Sequence, residues 1–218
     1  MHTYTGDVTV GGDADVRELA ALMISKVAVG PMDNDAYLLR CRATDEQLLI
    51  DAAAEPARLL DLLGDGQLAQ VVTTHRHRDH WQALAKVVEA TGARTVAHPL
   101  DADGIPVRTD ALVDDGEEIA VGHVRLRVIH LTGHTPGSIA LLYDDPQGTP
   151  HLFTGDSLFP GGPGKTTSPD DFTALMDDLE AKVFGALPDE TWVYPGHGRD
   201  TTVGAERPHL GEWRARGW

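Results

Sequence analysis

The chain has a single cysteine, Cys41, among 218 residues, so it can close no disulfide within itself and is not a cross-linked secreted scaffold. Basic residues are scarce: 18 Lys and Arg stand against 34 Asp and Glu, a formal net charge of −16. With no basic patch to offset it, that field repels a phosphate backbone and argues against nucleic acid as a partner. No apolar run reaches bilayer-spanning length, and the opening MHTYTGDVTVGGDADVREL has neither a basic n-region nor an apolar core. A membrane span and an export signal are therefore not expected, and a cytoplasmic location is. Repeats and low-complexity tracts are also missing. With 41% hydrophobic and 24% charged residues, one globular domain over residues 1–218 is the expectation. No sequence pattern sets the oligomeric state.

What is there reads as strands followed by helices, twice. LMISKVAV, AYLLRC and EQLLIDA form a meander with turns at GPMDND and ATD, and EPARLLDLLG follows with helical leucine spacing, Pro56 at its start and Gly64 at its end. QLAQVVTT is a buried strand, WQALAKVVEATG a helix, ARTVAH a short strand and DADGIPVRTD a loop. EEIAVGHVRLRVIHL alternates Val124, Leu126 and Val128 against Arg125 and Arg127, as a half-buried hairpin does. SIALLYDD and HLFTGDSLF are two more strands. PGGPGKTTSPD is too rich in Gly and Pro for regular structure and is a candidate lid. Ser168 then caps a helix with Pro169 at its first position, and TWVYPGHG is a last strand. The pattern indicates a layered α/β protein.

Chemistry concentrates in TTHRHRDHW, directly after the apolar LAQVV. A catalytic metal site needs neutral imidazoles and carboxylates converging on one point with a position left for water. On a tight turn, His75 and His77 can face one way while Asp79 and His80 face the next position along, which suits two adjacent cations. Three later residues have the same character: His134 in LTGHTPGS, Asp156 in LFTGDSLF and His197 in YPGHG. Each follows a glycine near a strand end. The other histidines, His2, His98, His123, His130, His151 and His209, read as solvated or hydrogen-bonded. Asp51, ending QLLID, is either a strand-end cap or an acceptor that orients a metal-bound imidazole. Lys165 is either an ordinary exposed lysine or a steering charge for an anionic substrate group. Cys41 reads as a small core residue, and Thr74, Thr135 and Ser138 as turn formers.

The ordered set HxHxDH, GHTPGS, GDSLF and PGHG resembles the metallo-β-lactamase superfamily, and the tail PGHGRDTTVGAERPHL resembles its glyoxalase II-like (hydroxyacylglutathione hydrolase-like) branch. The resemblance runs from GPMDNDAYLL to the tail. It implies an α/β (α+β) fold, a four-layer αββα sandwich with a dinuclear site at one edge. It implies that His75, His77 and His134 hold one metal, that Asp79, His80 and His197 hold the other, and that Asp156 bridges them, with Asp79, His80 and Asp156 carrying catalysis. Two divalent ions are implied, zinc first, with iron or manganese also suited to this donor set.

The activity implied is hydrolysis of a small-molecule thioester, lactoyl or another acyl thiol, by a hydroxide bridging the metals. In two-domain members a C-terminal helical domain holds glutathione, whereas this sequence ends 21 residues after His197, enough for at most one short helix. The thiol carrier is thus left open. An alternative is a persulfide dioxygenase with a single iron on His75, His134 and Asp156. Lactonase or β-lactamase-type hydrolysis and a non-catalytic metal-binding module are further readings. The expectation is an enzyme.

Overall fold

The computed structural model describes residues 3–217; His2 lies outside them. Four strands, β1 (Asp15–Glu18), β2 (Leu22–Val29), β3 (Asn34–Cys41) and β4 (Gln47–Ile50), form an antiparallel meander. Helix α1 (Pro56–Leu63) carries the chain over to β5 (Leu68–Val72), parallel to β4. Then α2 (Leu84–Thr91), β6 (Arg94–Ala97), the short α3 (Pro99–Ala102) and β7 (Ala111–Leu112) complete a seven-stranded sheet ordered as in the sequence. The second sheet uses β8 (Glu118–Val121), β9 (Val124–His130), β10 (Ile139–Tyr143) and β11 (His151–Gly155) as antiparallel neighbours.

A two-stranded ribbon, β12 (Leu158–Phe159) with β13 (Gly162–Pro163), precedes α4 (Pro169–Asp178). Strand β14 (Trp192–Pro195) joins the second sheet parallel to β11, and β15 (Thr201–Thr202) closes its edge. Helices α5 (Val203–Glu206) and α6 (Leu210–Arg216) end the described chain. No helix among the described residues is long and apolar enough to cross a membrane.

The strands read as apolar runs because both faces of each sheet are covered. Leu22, Ile24, Leu39 and Ile50 from the first sheet meet Leu126, Val128, Leu141 and Phe153 from the second. The opposite face of the first sheet, with Val27, Leu38 and Val71, packs on Leu59 of α1 and Leu84 and Val87 of α2. Ile129, Ala140 and Leu152 on the far face of the second sheet pack on Leu175 and Met176 of α4 and Trp213 of α6. The result is the αββα sandwich expected. Each fully buried leucine contributes about 1.5–3 kcal/mol.

Four local expectations are corrected. Helix α2 starts at Leu84, because a 3-10 turn over Arg78–His80 takes up the chain before it. DADGIPVRTD begins as the end of α3, capped by His98, whose Nδ1 accepts from Leu100 N. The Gly/Pro-rich loop contains β13, which two backbone-compatible residues suffice to form. The tail holds two short helices joined by a 3-10 turn at Arg207–His209, since Trp213 is fully buried against Phe184 and anchors the second of them.

Lys26 and His151 are among the polar residues buried in the sandwich. Lys26 is fully buried and pairs with Asp35 at 3.1 Å and Asp200 at 2.7 Å, while donating to the carbonyls of Gly6 and Gly198. It thereby pins the segment after His197 to β2. His151 is buried with its Nδ1 2.9 Å from the Tyr194 hydroxyl, and burial, with nearby Arg17, lowers its pKa from 6.5 to about 4. The unfolded chain therefore binds this proton first as pH falls, so the stability this residue contributes is full above pH 6.5 and is lost on the way down to about 4. The loss is a little over about 3 kcal/mol at most. Urea unfolding across this pH range is expected to show that slope in the wild type and a flatter one in His151→Phe.

Candidate metal centre

The rim at the C-terminal ends of β5, β9, β11 and β14 is where the candidate ligands meet. Backbone bonds draw the loops together there: Ile139 N donates to Thr74 O at 3.0 Å, Gly196 N to Gly155 O at 2.8 Å and Asp35 N to Gly196 O at 2.8 Å. Gly196 has no room for a side chain, since a Cβ would lie 2.2 Å from Asp156 Oδ1. The structure brings all seven sequence-identified residues into one cluster, as two triads, His75/His77/His134 and Asp79/His80/His197, with Asp156 between them.

Each histidine's outer nitrogen shows what its inner nitrogen can do. His80 Nδ1 donates to Asp51 Oδ2 at 2.8 Å, His134 Nδ1 to the Lys165 carbonyl at 2.7 Å, and His197 Nδ1 to the Met32 carbonyl at 2.9 Å. The Thr74 hydroxyl donates to Asp51 and so accepts from His75 Nδ1 at 3.0 Å. With those protons held outward, the four Nε2 atoms face inward, as metal-ligating imidazoles do.

Their spacing fits a cation. His75 Nε2 lies 3.1 Å from His77 Nδ1 and 3.2 Å from His134 Nε2. Asp79 Oδ2 lies 3.4 Å from His80 Nε2 and 3.3 Å from His197 Nε2. Donors placed tetrahedrally at 2.0–2.1 Å are separated by about 3.3–3.4 Å. Asp156 presents Oδ1 to His80 at 3.4 Å and Oδ2 to His134 at 3.6 Å and His197 at 3.5 Å. Its Oδ1 is buried with no hydrogen-bond partner among the described residues, and an apposed lone pair of that kind is relieved by a cation.

The electrostatics differ between the triads. Burial, first, keeps His75, His77 and His134 below their usual pKa, so they are neutral lone-pair donors at pH 7. Burial also opposes charge on His80 and His197, but the carboxylates outweigh it: Asp51 and Asp156 for His80, Asp156 and Asp79 for His197, raising both to about 10. Burial likewise opposes charge on Asp156, yet the nearby imidazoles of His197, His80 and His75 hold it well below the usual carboxylate range. The second triad thus demands positive charge, which protons or a divalent cation can supply.

Asp51 is an acceptor shared by Thr74 N, Thr74 Oγ1 and His80. Lys165 touches the centre through its carbonyl, while the residue is exposed. His98, Asp114 and His130 form a further grouping. There, His98 Nδ1 accepts from Leu100 N, which leaves Nε2 protonated toward Asp114 at 3.3 Å. His151 is hydrogen-bonded in the core, and His123 and His209 are exposed.

Two side chains at the centre were not singled out from the sequence. Asn34, read as part of a turn, places Nδ2 2.9 Å from Asp79 Oδ2. Asp101, read as loop, accepts from Arg76 N and Gly137 N, each at 2.9 Å, and from the Thr135 hydroxyl. The signal available for either was only a polar residue beside a strand.

The description "Metallo-beta-lactamase superfamily" matches residues 29–197, a span that contains every one of these ligands. The chain belongs to that superfamily. Within the superfamily, the hydroxyacylglutathione hydrolase of Polaromonas sp. (strain JS666) is 39% identical over 166 residues, covering 75% of this chain and 62% of that protein. The chain therefore spans less than two thirds of that relative's length. The solved structure of ETHE1 from Myxococcus xanthus is 32% identical with a TM-score of 0.74, covering 86% of this chain and 82% of that one. TTHA1623 in a di-iron-bound form is 32% identical with a TM-score of 0.69, covering 84% of this chain and 96% of that one. The superfamily fold implies a dinuclear centre, and the His/Asp cluster fits it.

Proposed function

We propose that the protein is a metal-dependent hydrolase of small acyl thioesters. One cation would be held by His75, His77 and His134 and the other by Asp79, His80 and His197, with Asp156 shared. The observation that carries this is the position of Asp156, whose Oδ2 lies 3.6 Å from His134 of the first triad and 3.5 Å from His197 of the second, with Oδ1 3.4 Å from His80. The hydroxyacylglutathione hydrolase relatives supply the thioester class. Zinc suits the donors, and iron does as well, as the di-iron form of TTHA1623 illustrates.

Bound divalent cations at such a centre supply a water acidified toward neutrality and polarise a carbonyl. The chain's own residues do the rest. Asp51 holds the Nδ1 proton of His80, and the Lys165 and Met32 carbonyls hold those of His134 and His197, so these three imidazoles cannot turn away. His77, Asp79 and His197 lie on the solvent side, while His75 and His80 are sealed beneath. Substrate would enter over that open side. A recess of about 370 Å³ beside the centre is lined by Lys165, Phe172 and Arg216, and its apolar ring and two cations suit an anionic thiol carrier. A larger hollow of about 700 Å³ near Gln47 and Gly66 contains none of the ligands and has no part in this reading.

A second reading has its own observation. His75, His134 and Asp156 converge by themselves, at 3.2 and 3.6 Å, as two histidines and a carboxylate do around a single iron that activates oxygen. Elemental analysis of anaerobically purified protein, beside assays of lactoyl-thioester hydrolysis and persulfide-dependent oxygen uptake, separates the two. Two cations per chain with thioester cleavage is the expected result. One iron with oxygen consumption overturns the hydrolase.

A further inference from the structure

We propose that Asn34 is a further protein ligand of the second cation, beside Asp79, His80, His197 and the shared Asp156, through its side-chain amide oxygen. This rests on the two-cation reading and extends it to a residue outside the histidine and aspartate set.

The segment around Asn34 is fixed in place from several sides. Met32 O holds His197, Asp35 N donates to Gly196 O, and Asn34 itself forms a backbone bridge with His197. Asp33 adopts a left-handed φ of 56°, which turns the chain sharply into β3. The Asn34 side chain is 1% exposed and has one direction to go, into the second triad.

Its amide end lies 2.9 Å from Asp79 Oδ2, 3.3 Å from His197 Nε2 and 3.5 Å from His80 Nε2. Asp79 Oδ2 in turn lies 3.3 and 3.4 Å from those two nitrogens. Five edges of a four-atom figure therefore range from 2.9 to 3.5 Å, close to the about 2.9–3.4 Å spacing of neighbouring donors around a small divalent ion with four to six ligands. A residue that merely lined the wall would approach one of the three ligands. Asn34 lies within 3.5 Å of all three.

The amide is oriented with nitrogen inward, an assignment that rests on hydrogen-bonding alone. Nitrogen inward suits lone pairs and a carboxylate. A half-turn of the terminal torsion exchanges nitrogen for oxygen without moving any other atom, and an amide oxygen is an ordinary ligand for a divalent cation. The competing role is purely positional, with Asn34 donating to Asp79 and never touching the cation. The two roles respond oppositely to aspartate. Asn34→Asp gives a ligand an anionic oxygen and strengthens it, whereas it sets two carboxylates against each other where a donor to Asp79 is required.

The experiment is titration of metal-stripped full-length protein with zinc(II) against a chromophoric competing chelator, which resolves two binding steps without any activity assay. Asn34→Ala is expected to weaken the second step by roughly ten- to a hundred-fold and leave the first unchanged. Asn34→Asp is expected to bind the second zinc more tightly than Asn34→Ala. If Asn34→Ala does not fold, Asn34→Leu, closer to asparagine in volume, takes its place. Equal affinities in wild type and the apolar variant overturn the assignment while leaving the two-cation reading intact, as does Asn34→Asp binding no more tightly than the apolar variant. A wild type that saturates at one zinc overturns both.

Discussion

Asp156→Ala is expected to hold at most one cation per chain where the wild type holds two, and to lose at least about 10³-fold in thioester kcat. The size follows from where the carboxylate stands. Its two oxygens address His134 of the first triad and His80 and His197 of the second, all within 3.4–3.6 Å. Alanine removes the carboxylate that stands between the triads and leaves five imidazoles and Asp79 around a gap. Two cations a few ångströms apart repel each other, and without an anion between them the second is driven out. Asp156→Asn separates charge from shape: it keeps the volume and one acceptor, and is expected to retain the first cation while weakening the second. Elemental analysis and steady-state hydrolysis of a lactoyl thioester give both readouts. Wild-type hydrolysis in the alanine variant would sink the dinuclear mechanism.

The parts of this centre legible in the sequence are those whose chemistry is local. Four candidate ligands fall within His75–His80 directly after an apolar strand. A polar run in that position has to emerge from the sheet edge, so the strand itself aims it. The alternation around Val124–Val128 and the caps at Ser168 and Gly64 were legible for the same reason, since each depends on a few neighbouring residues. Asn34 and Asp101 were not, because their roles depend on partners 45 and 34 positions away. From the sequence alone Asn34 is a turn former in MDND and Asp101 a loop acid. The two-residue strands β12 and β13 carry no period, and the helices of the tail are fixed by where Trp213 is buried, which no spacing announces. Lys165 shows a further limit: a side-chain reading overlooks a residue whose contact with the centre is made by its carbonyl.

Asp101 is the residue for which that blind spot has the largest consequence. Asp101 is 1% exposed, and its carboxylate joins the two loops of the first triad. Oδ2 accepts from Arg76 N, between His75 and His77, and from the Thr135 hydroxyl next to His134, while Oδ1 accepts from Gly137 N. A Cβ on Gly137 would lie 2.7 Å from Asp101 N, so the two segments are packed as closely as backbone allows and no water can replace the carboxylate. Asp101→Ala therefore strands Arg76 N and Gly137 N, while the Thr135 hydroxyl keeps Ser138 Oγ at 2.7 Å. Each stranded N–H costs about 1–3 kcal/mol when buried without an acceptor, and with partial relaxation the expected loss is about 3–5 kcal/mol in urea unfolding. The same change frees the His75–His77 turn from the His134 loop, so the first zinc is expected to bind roughly ten- to a hundred-fold more weakly while the second keeps its affinity. Asp101→Asn sharpens the test. An amide has one accepting oxygen, so its NH₂ has to face either Gly137 N–H or the Arg76 and Thr135 donors, and the variant should fall between wild type and alanine on both readouts. Loss of stability with both zinc affinities unchanged would make Asp101 a fold residue only. A parallel loss at the first cation alone would show that the spacing of His75, His77 and His134 is held by a carboxylate that touches none of them.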